Sequence, residues 1–137
     1  MVRVEVLKKR IAKLEEYLGL LTTYRNMPLD KFLSNPEHYH SAERLLQLCI
    51  EASTDMGNHI IADMNLGQAE FGSQIPDILA EKELISRELA ETWIKMIGLR
   101  NILVHDYLDI NHVTVHEIIQ NHADDFEAFK VFFTQYI

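Results

Sequence analysis

The stretch Arg100-Asn101-Ile102-Leu103-Val104-His105-Asp106-Tyr107 sets a fixed cation, a titratable imidazole and a phenol into an otherwise apolar segment. An imidazole that titrates near neutrality can take or return a proton, and a guanidinium can stabilise charge growing on phosphate oxygens. Together they suit cleavage of an RNA phosphodiester. His105 would accept the 2'-hydroxyl proton or protonate the leaving 5'-oxygen, and Arg100 would steady the phosphorane, with no metal required. Asn101 lies four residues before His105, a spacing that lets its amide brace the imidazole. The same spacing also fits a structural helix terminus, with His105 near the negative end of the helix dipole. Tyr107 has two readings as well: a phenol that reaches solvent near a helix end, or a core tyrosine with its hydroxyl satisfied.

Positioning these groups falls to a helix that is apolar on two sides. Leu89, Trp93 and Met96 continue at three- and four-residue steps onto Arg100, Leu103 and Tyr107, and Ala90, Ile94 and Ile97 continue onto Asn101 and Val104. Such a helix belongs at the centre of a bundle. A guanidinium on an apolar stripe costs roughly several kcal/mol unless it has partners, so Arg100 should have a definite job. From Arg100 to His105 is about 140° around the axis and about 7.5 Å along it, so one rigid helix does not aim both at one point. Either the helix loosens near Asp106, or a symmetric dimer brings two copies of the segment together so that each chain supplies part of one site.

The rest of the chain reads as more helices. Val4, Leu7, Ile11, Leu14, Leu18 and Leu21 predict a long amphipathic helix stopping near Asn26, before Pro28. A short loop with Phe32 and Leu33 should follow. Asn35 before Pro36 has the pattern of an N-cap with proline at the first helical position. The stripe from Ala42 through Met64 then runs to a stop at Gly67. Asn58 and His59 are expected as a hydrogen-bonded interior pair on that helix. Ile75, Ile78 and Leu79 suggest a short helical connector, and Ser86 can cap the helix that delivers Arg100 and His105. Beyond the polar break at Asp109 to Asn111, one last helix carries Val115, Ile119, His122, Phe126, Phe129, Phe133 and Tyr136 on one side. The expected fold class is an all-α antiparallel helical bundle of four main helices plus a short one, a single domain over residues 1–137.

Composition narrows the function classes. With 137 residues, 47% of them hydrophobic, the chain can bury one sizeable core. A net charge of −8 argues against a general basic face for long nucleic acid and leaves room for a local positive cleft. Cys49 is the only cysteine, which excludes an intrachain disulfide and suits a reducing cytosol; packing between helices accounts for it. No apolar run approaches the length of a membrane span, so a cytoplasmic protein is expected. His112 and His116 are four apart, but no third ligand is evident; no metal site and no cofactor are expected. His38 and His40 read as solvated, His122 as a core histidine, and Glu15, Glu16, Asp124 and Asp125 as solvated acids.

Arg100-Asn101-x-x-Val104-His105-x-Tyr107 resembles the Arg-x4-His-x-Tyr motif of HEPN-domain proteins, specifically the HepT-like toxins. The likeness extends to Glu43-Arg44-Leu45-Leu46-Gln47, Gly57-Asn58-His59-Ile60 and the closing Asp124-Asp125-Phe126. The resemblance implies a HEPN-type bundle that dimerises through the motif helices, a metal-independent endoribonuclease, and a nucleotidyltransferase antitoxin as partner. It matches Arg100 and His105 to the catalytic pair, Asn101 to the polar residue beside the arginine, and Tyr107 to a tyrosine modified with AMP. AMP there would set bulk and negative charge against Arg100 and so block RNA. Two other readings stay open: a catalytically idle dimer that binds a nucleotide or RNA and serves as the transferase's partner, and a plain scaffold with Arg100 in a structural ion pair.

Overall fold

The computed structural model describes residues 2–137. Seven α-helices follow one another: α1 (Val4–Arg25), α2 (Leu29–Ser34), α3 (Pro36–Asp63), α4 (Gln74–Glu81), α5 (Arg87–His105), α6 (His112–His122) and α7 (Asp125–Thr134). A 3-10 turn at Tyr107–Asp109 joins α5 to α6, and there is no strand among the described residues. The architecture is thus the all-α bundle that the periodicities predict. No helix is long and apolar enough to cross a membrane among the described residues.

The local signals act as their chemistry requires. Asn35 Oδ1 accepts from the Glu37 amide at 3.0 Å and opens α3, with Pro36 at the first turn. Ser86 Oγ accepts from the Leu89 amide at 3.0 Å and opens α5. The end of α3 departs from expectation. The helix stops at Asp63, before Gly67, because Asn65 takes the left-handed conformation at φ 53°. The Asn65 amide then donates to Ala62 O at 3.3 Å and that of Leu66 to Ile61 O at 2.9 Å, which closes the last turn.

Two further expectations change. The Phe32 segment is not a loop; it forms the six-residue helix α2, which seats Phe32 with no exposed surface. The last helix is two, broken at Ala123-Asp124. Arg25 clamps that corner by donating from Nη1 and Nη2 to Asp124 Oδ1 and Oδ2 at 2.8 and 3.0 Å, and Gln120 bonds the Arg25 carbonyl. These hydrogen bonds hold the Asp124 carboxyl below its ordinary range. The break leaves His122 exposed beside Asp125 at 3.4 Å, so it is not a core histidine, and Asp124 is not merely solvated.

The core runs as one cluster from Leu7 on α1 to Phe133 on α7. At its centre Trp93 stacks on Phe129, centroids 4.7 Å apart, and meets Phe133 edge-on at 5.8 Å. Its indole donates to Thr54 Oγ1 at 3.3 Å. This packing needs a glycine at position 57, where a β-carbon would lie 2.7 Å from Ile75 Cγ2 and 3.3 Å from Trp93 Cη2. Cys49 is fully buried, and desolvation pushes its thiol up to about 12, so it is an inert packing residue.

Candidate functional site

α5 crosses α3, and the last two turns of α5 carry the motif. Arg100 is about one-third exposed and is held from α3 by Glu51, whose Oε1 accepts from Nε at 2.9 Å and from Nη2 at 2.8 Å. Gln47 Nε2 donates to the same oxygen at 3.1 Å, and Arg100 Nη1 donates to Asn101 Oδ1 at 3.3 Å. Asn101 therefore braces the arginine, and the brace to His105 that the four-residue spacing predicts is absent. The adjacent guanidinium competes successfully for the amide oxygen, because a charged donor makes the stronger bond. Glu51 was invisible to sequence reading: it lies 49 residues away, and only its place beside Ala52 on the helix stripe hinted at interior surroundings.

α5 ends immediately after His105. The Asp106 amide still reaches Ile102 O at 2.9 Å, but Asp106 has left helical geometry at φ −119°, ψ 35°. The loosening begins only beyond His105: α5 is helical from Arg87 through His105, so one chain alone still does not aim Arg100 and His105 at one point. His105 is exposed and makes no hydrogen bond or ion pair among the described residues. Tyr107, on the 3-10 turn, is 66% exposed, so it is not a core tyrosine. Ile102 and Leu108 are exposed beside it, an apolar rim around the motif.

Arg100 and Asn101 also border a cleft of about 1030 Å³ between α1, α3, α5 and the 69–75 segment; His105 does not line it. Asn58 lines it too, exposed, so Asn58 and His59 are not an interior pair. His59 is engaged elsewhere: Arg3 Nη2 lies 2.8 Å from its Nδ1, and Asp55 Oδ2 lies 3.8 Å from its Nε2. His112 and His116 are engaged by protein groups, His112 Nδ1 with the Glu43 carboxylate and His116 Nε2 with Met27 O at 2.7 Å. His38 Nδ1 bonds the Lys31 carbonyl at 2.9 Å and is only half solvated. No group of three or more His, Cys, Asp or Glu side chains among the described residues is arranged to hold a metal ion.

A family model described as HepT-like ribonuclease matches residues 7–131. The chain belongs to the HepT-like ribonuclease family. It is 42% identical over 84 residues to the mRNA nuclease HepT of Shewanella oneidensis, a match spanning 61% of this chain and 63% of that protein. It is 33% identical over 106 residues to the tRNA nuclease HepT of Aphanizomenon flos-aquae, covering 77% and 72% of the two. The match thus spans less than two thirds of the Shewanella nuclease. The fold superposes on a tri-AMPylated Shewanella oneidensis HEPN toxin in complex with an MNT antitoxin, with a TM-score of 0.88 at 30% identity over 95% of this chain and 97% of that one. YutE from Bacillus subtilis shares the fold alone, with a TM-score of 0.84 at 21% identity over 98% and 90%. Within the family's frame, the unpaired His105 and the exposed Tyr107 stand together at the end of α5, and Glu51 holds Arg100 one and a half turns before them.

Proposed function

We propose that this chain, one HEPN-like domain over residues 1–137, is the toxin of a toxin–antitoxin pair and a metal-independent endoribonuclease of the cytoplasm. The observation that carries the reading is the contrast at the end of α5: Arg100 is held in a fixed orientation by Glu51 and Asn101, while His105 is exposed with both ring nitrogens unengaged. A cation that must not move and an imidazole that must exchange protons are what 2'-oxygen attack on phosphorus needs. His105 accepts the 2'-hydroxyl proton, the new bond closes a 2',3'-cyclic phosphate, and the 5'-oxygen leaves with a proton returned by an imidazolium. The two groups reach one phosphate when two chains meet across the apolar rim at Ile102 and Leu108, so the active form is a homodimer.

Tyr107 is the modification site of the partner antitoxin, a nucleotidyltransferase. Its phenol attacks the α-phosphorus of ATP, pyrophosphate leaves, and the new phosphodiester puts a negative charge beside Arg100. Support comes from its exposure and from the AMPylated state of the superposable Shewanella toxin. A second reading keeps the dimer but makes it a catalytically idle RNA- or nucleotide-binding partner of the transferase. The Glu51 carboxylate favours it, since that charge offsets the Arg100 cation.

Incubation of labelled RNA with purified protein in EDTA separates the two. The ribonuclease reading expects cleavage with 2',3'-cyclic phosphate ends, lost by at least about 100-fold in His105→Ala and Arg100→Ala. An unmodified wild type that leaves RNA intact overturns it in favour of the idle module. With the transferase and ATP, a mass gain of one AMP should appear on the wild type and vanish in Tyr107→Phe; its persistence refutes the Tyr107 assignment.

A further inference from the structure

The cleft that Arg100 borders extends well beyond the motif, and its far wall is built from residues that the chemistry does not use. Lys9 and Lys13 line it from α1, one turn apart on one helix face. Lys9 makes no ion pair among the described residues, and Lys13 bonds Glu16 at 3.2 Å while remaining 57% exposed. Two of the three lining carboxylates are already matched: Glu51 by Arg100, and Asp55 by Arg10. Glu70 alone is unpaired. In a chain whose net charge is −8, this wall is a local exception.

The cleft lining also includes an exposed aromatic ring. Phe71 is 68% exposed, more than any other phenylalanine, tyrosine or tryptophan in the described chain. Its loop is pinned, because Gln74 Oε1 accepts from the Glu70 and Phe71 amides at 2.7 and 3.2 Å. Asn58 also lines the cleft, exposed, and its side-chain amide makes no hydrogen bond among the described residues. Lysines spaced like successive phosphates, a fixed exposed ring and a free amide form the combination that receives single-stranded nucleic acid. The lysines track the backbone, the ring stacks one base, and the amide meets a base edge.

We infer that this cleft seats an unpaired segment of the RNA substrate, with its backbone along Lys9 and Lys13 and a base on Phe71, and leads the adjoining phosphate to Arg100. The inference rests on the ribonuclease reading and deepens it. The target is a loop or single strand, because a duplex offers no free base face to Phe71.

The test uses the full chain carrying His105→Ala, so that RNA survives. Fluorescence anisotropy compares a labelled twelve-nucleotide strand with the same strand annealed to its complement, across a salt series. The single strand should bind at least about tenfold tighter than the duplex. Lys9→Glu with Lys13→Glu should weaken it by more than about tenfold and flatten the log-affinity against log-salt slope by about 1.4, two contacts at about 0.7 each. Phe71→Ala should weaken it by about tenfold with the slope unchanged. All three positions are on the surface, so the variants should keep the parent's melting temperature. Equal binding of duplex, or variants that bind like the parent while wild-type protein still cuts RNA, overturns the cleft and leaves the ribonuclease standing. Loss of dimer in place of loss of RNA, on dilution of the Phe71→Ala chain, also overturns it, since the cleft would then belong to a second copy. A wild type that neither binds nor cuts RNA defeats the ribonuclease reading itself.

Discussion

α3 and α5 each turn one side to the core and the other to the cleft, and the two sides are built on opposite rules. On the core side Trp93 meets Phe129 and Phe133, and Met56, Ile60 and Trp93 all have essentially no exposed surface. On the cleft side, Glu51, Asn58, Arg100 and Asn101 are polar and partly open. Core side chains are held by area and shape, where loss of a ring leaves a cavity. The Arg100–Glu51 pair, about one-third exposed at each end, contributes about 0–1 kcal/mol, because water screens it. Residues that add so little to stability can be chosen for chemistry, and the unpartnered His105 is the extreme case. Stability and activity should therefore separate along these two helices.

The largest effect expected is on the core side. Trp93→Ala removes a fully buried ring and its bond to Thr54, and should cost about 3–5 kcal/mol in denaturant unfolding. A cost below about 1 kcal/mol would mean that this side is not the tightly packed one.

A smaller effect on stability but a larger one on turnover is expected from Glu51, which acts as a positioning residue through Arg100. Glu51→Ala should lower kcat by about 10- to 100-fold while KM and melting temperature change little. Glu51→Gln keeps the accepting oxygen and should recover most of that loss. Equal loss in both variants would show that the charge, not the orientation, matters, and a large drop in melting temperature would make Glu51 structural.

The smallest effect lies at the surface corner between α6 and α7. Hydrogen bonds from Arg25 hold the Asp124 carboxyl below its ordinary value, so its folded pKa lies below its unfolded one. Its contribution is present above the usual carboxylate range and is lost as pH falls through the folded value. Asp124→Asn should accordingly be less stable near neutrality and lose less on acidification below about pH 4 than the parent. Parallel pH profiles would show that the pair does nothing for the fold.

What could be read in the sequence follows the same division. Long periodic stretches on α1, α3 and α5, together with the Asn35 and Ser86 caps, are local signals and appear where the spacing puts them. The corner at Ala123-Asp124 depends on Arg25, 99 residues away, and no local pattern shows that contact, so two helices read as one. The stop at Asn65 was missed because glycine is the commoner left-handed residue, although asparagine tolerates that conformation too. At the site, the residue types and their places near a helix end were legible. The partners were not: Glu51 reaches Arg100 from another helix, and Asn101 turned to the arginine instead of the imidazole.

The central claim is that one active site needs two chains. It is tested most directly by mixing a fixed amount of wild type with a tenfold excess of chain carrying Arg100→Ala and His105→Ala, allowing subunits to exchange, and measuring RNA cleavage in EDTA. A site composed across the dimer predicts a fall to roughly a tenth of the starting rate, the share of wild-type chains still paired with each other. An unchanged rate, with exchange verified by native mass spectrometry, would place Arg100 and His105 in one chain's site and contradict the account.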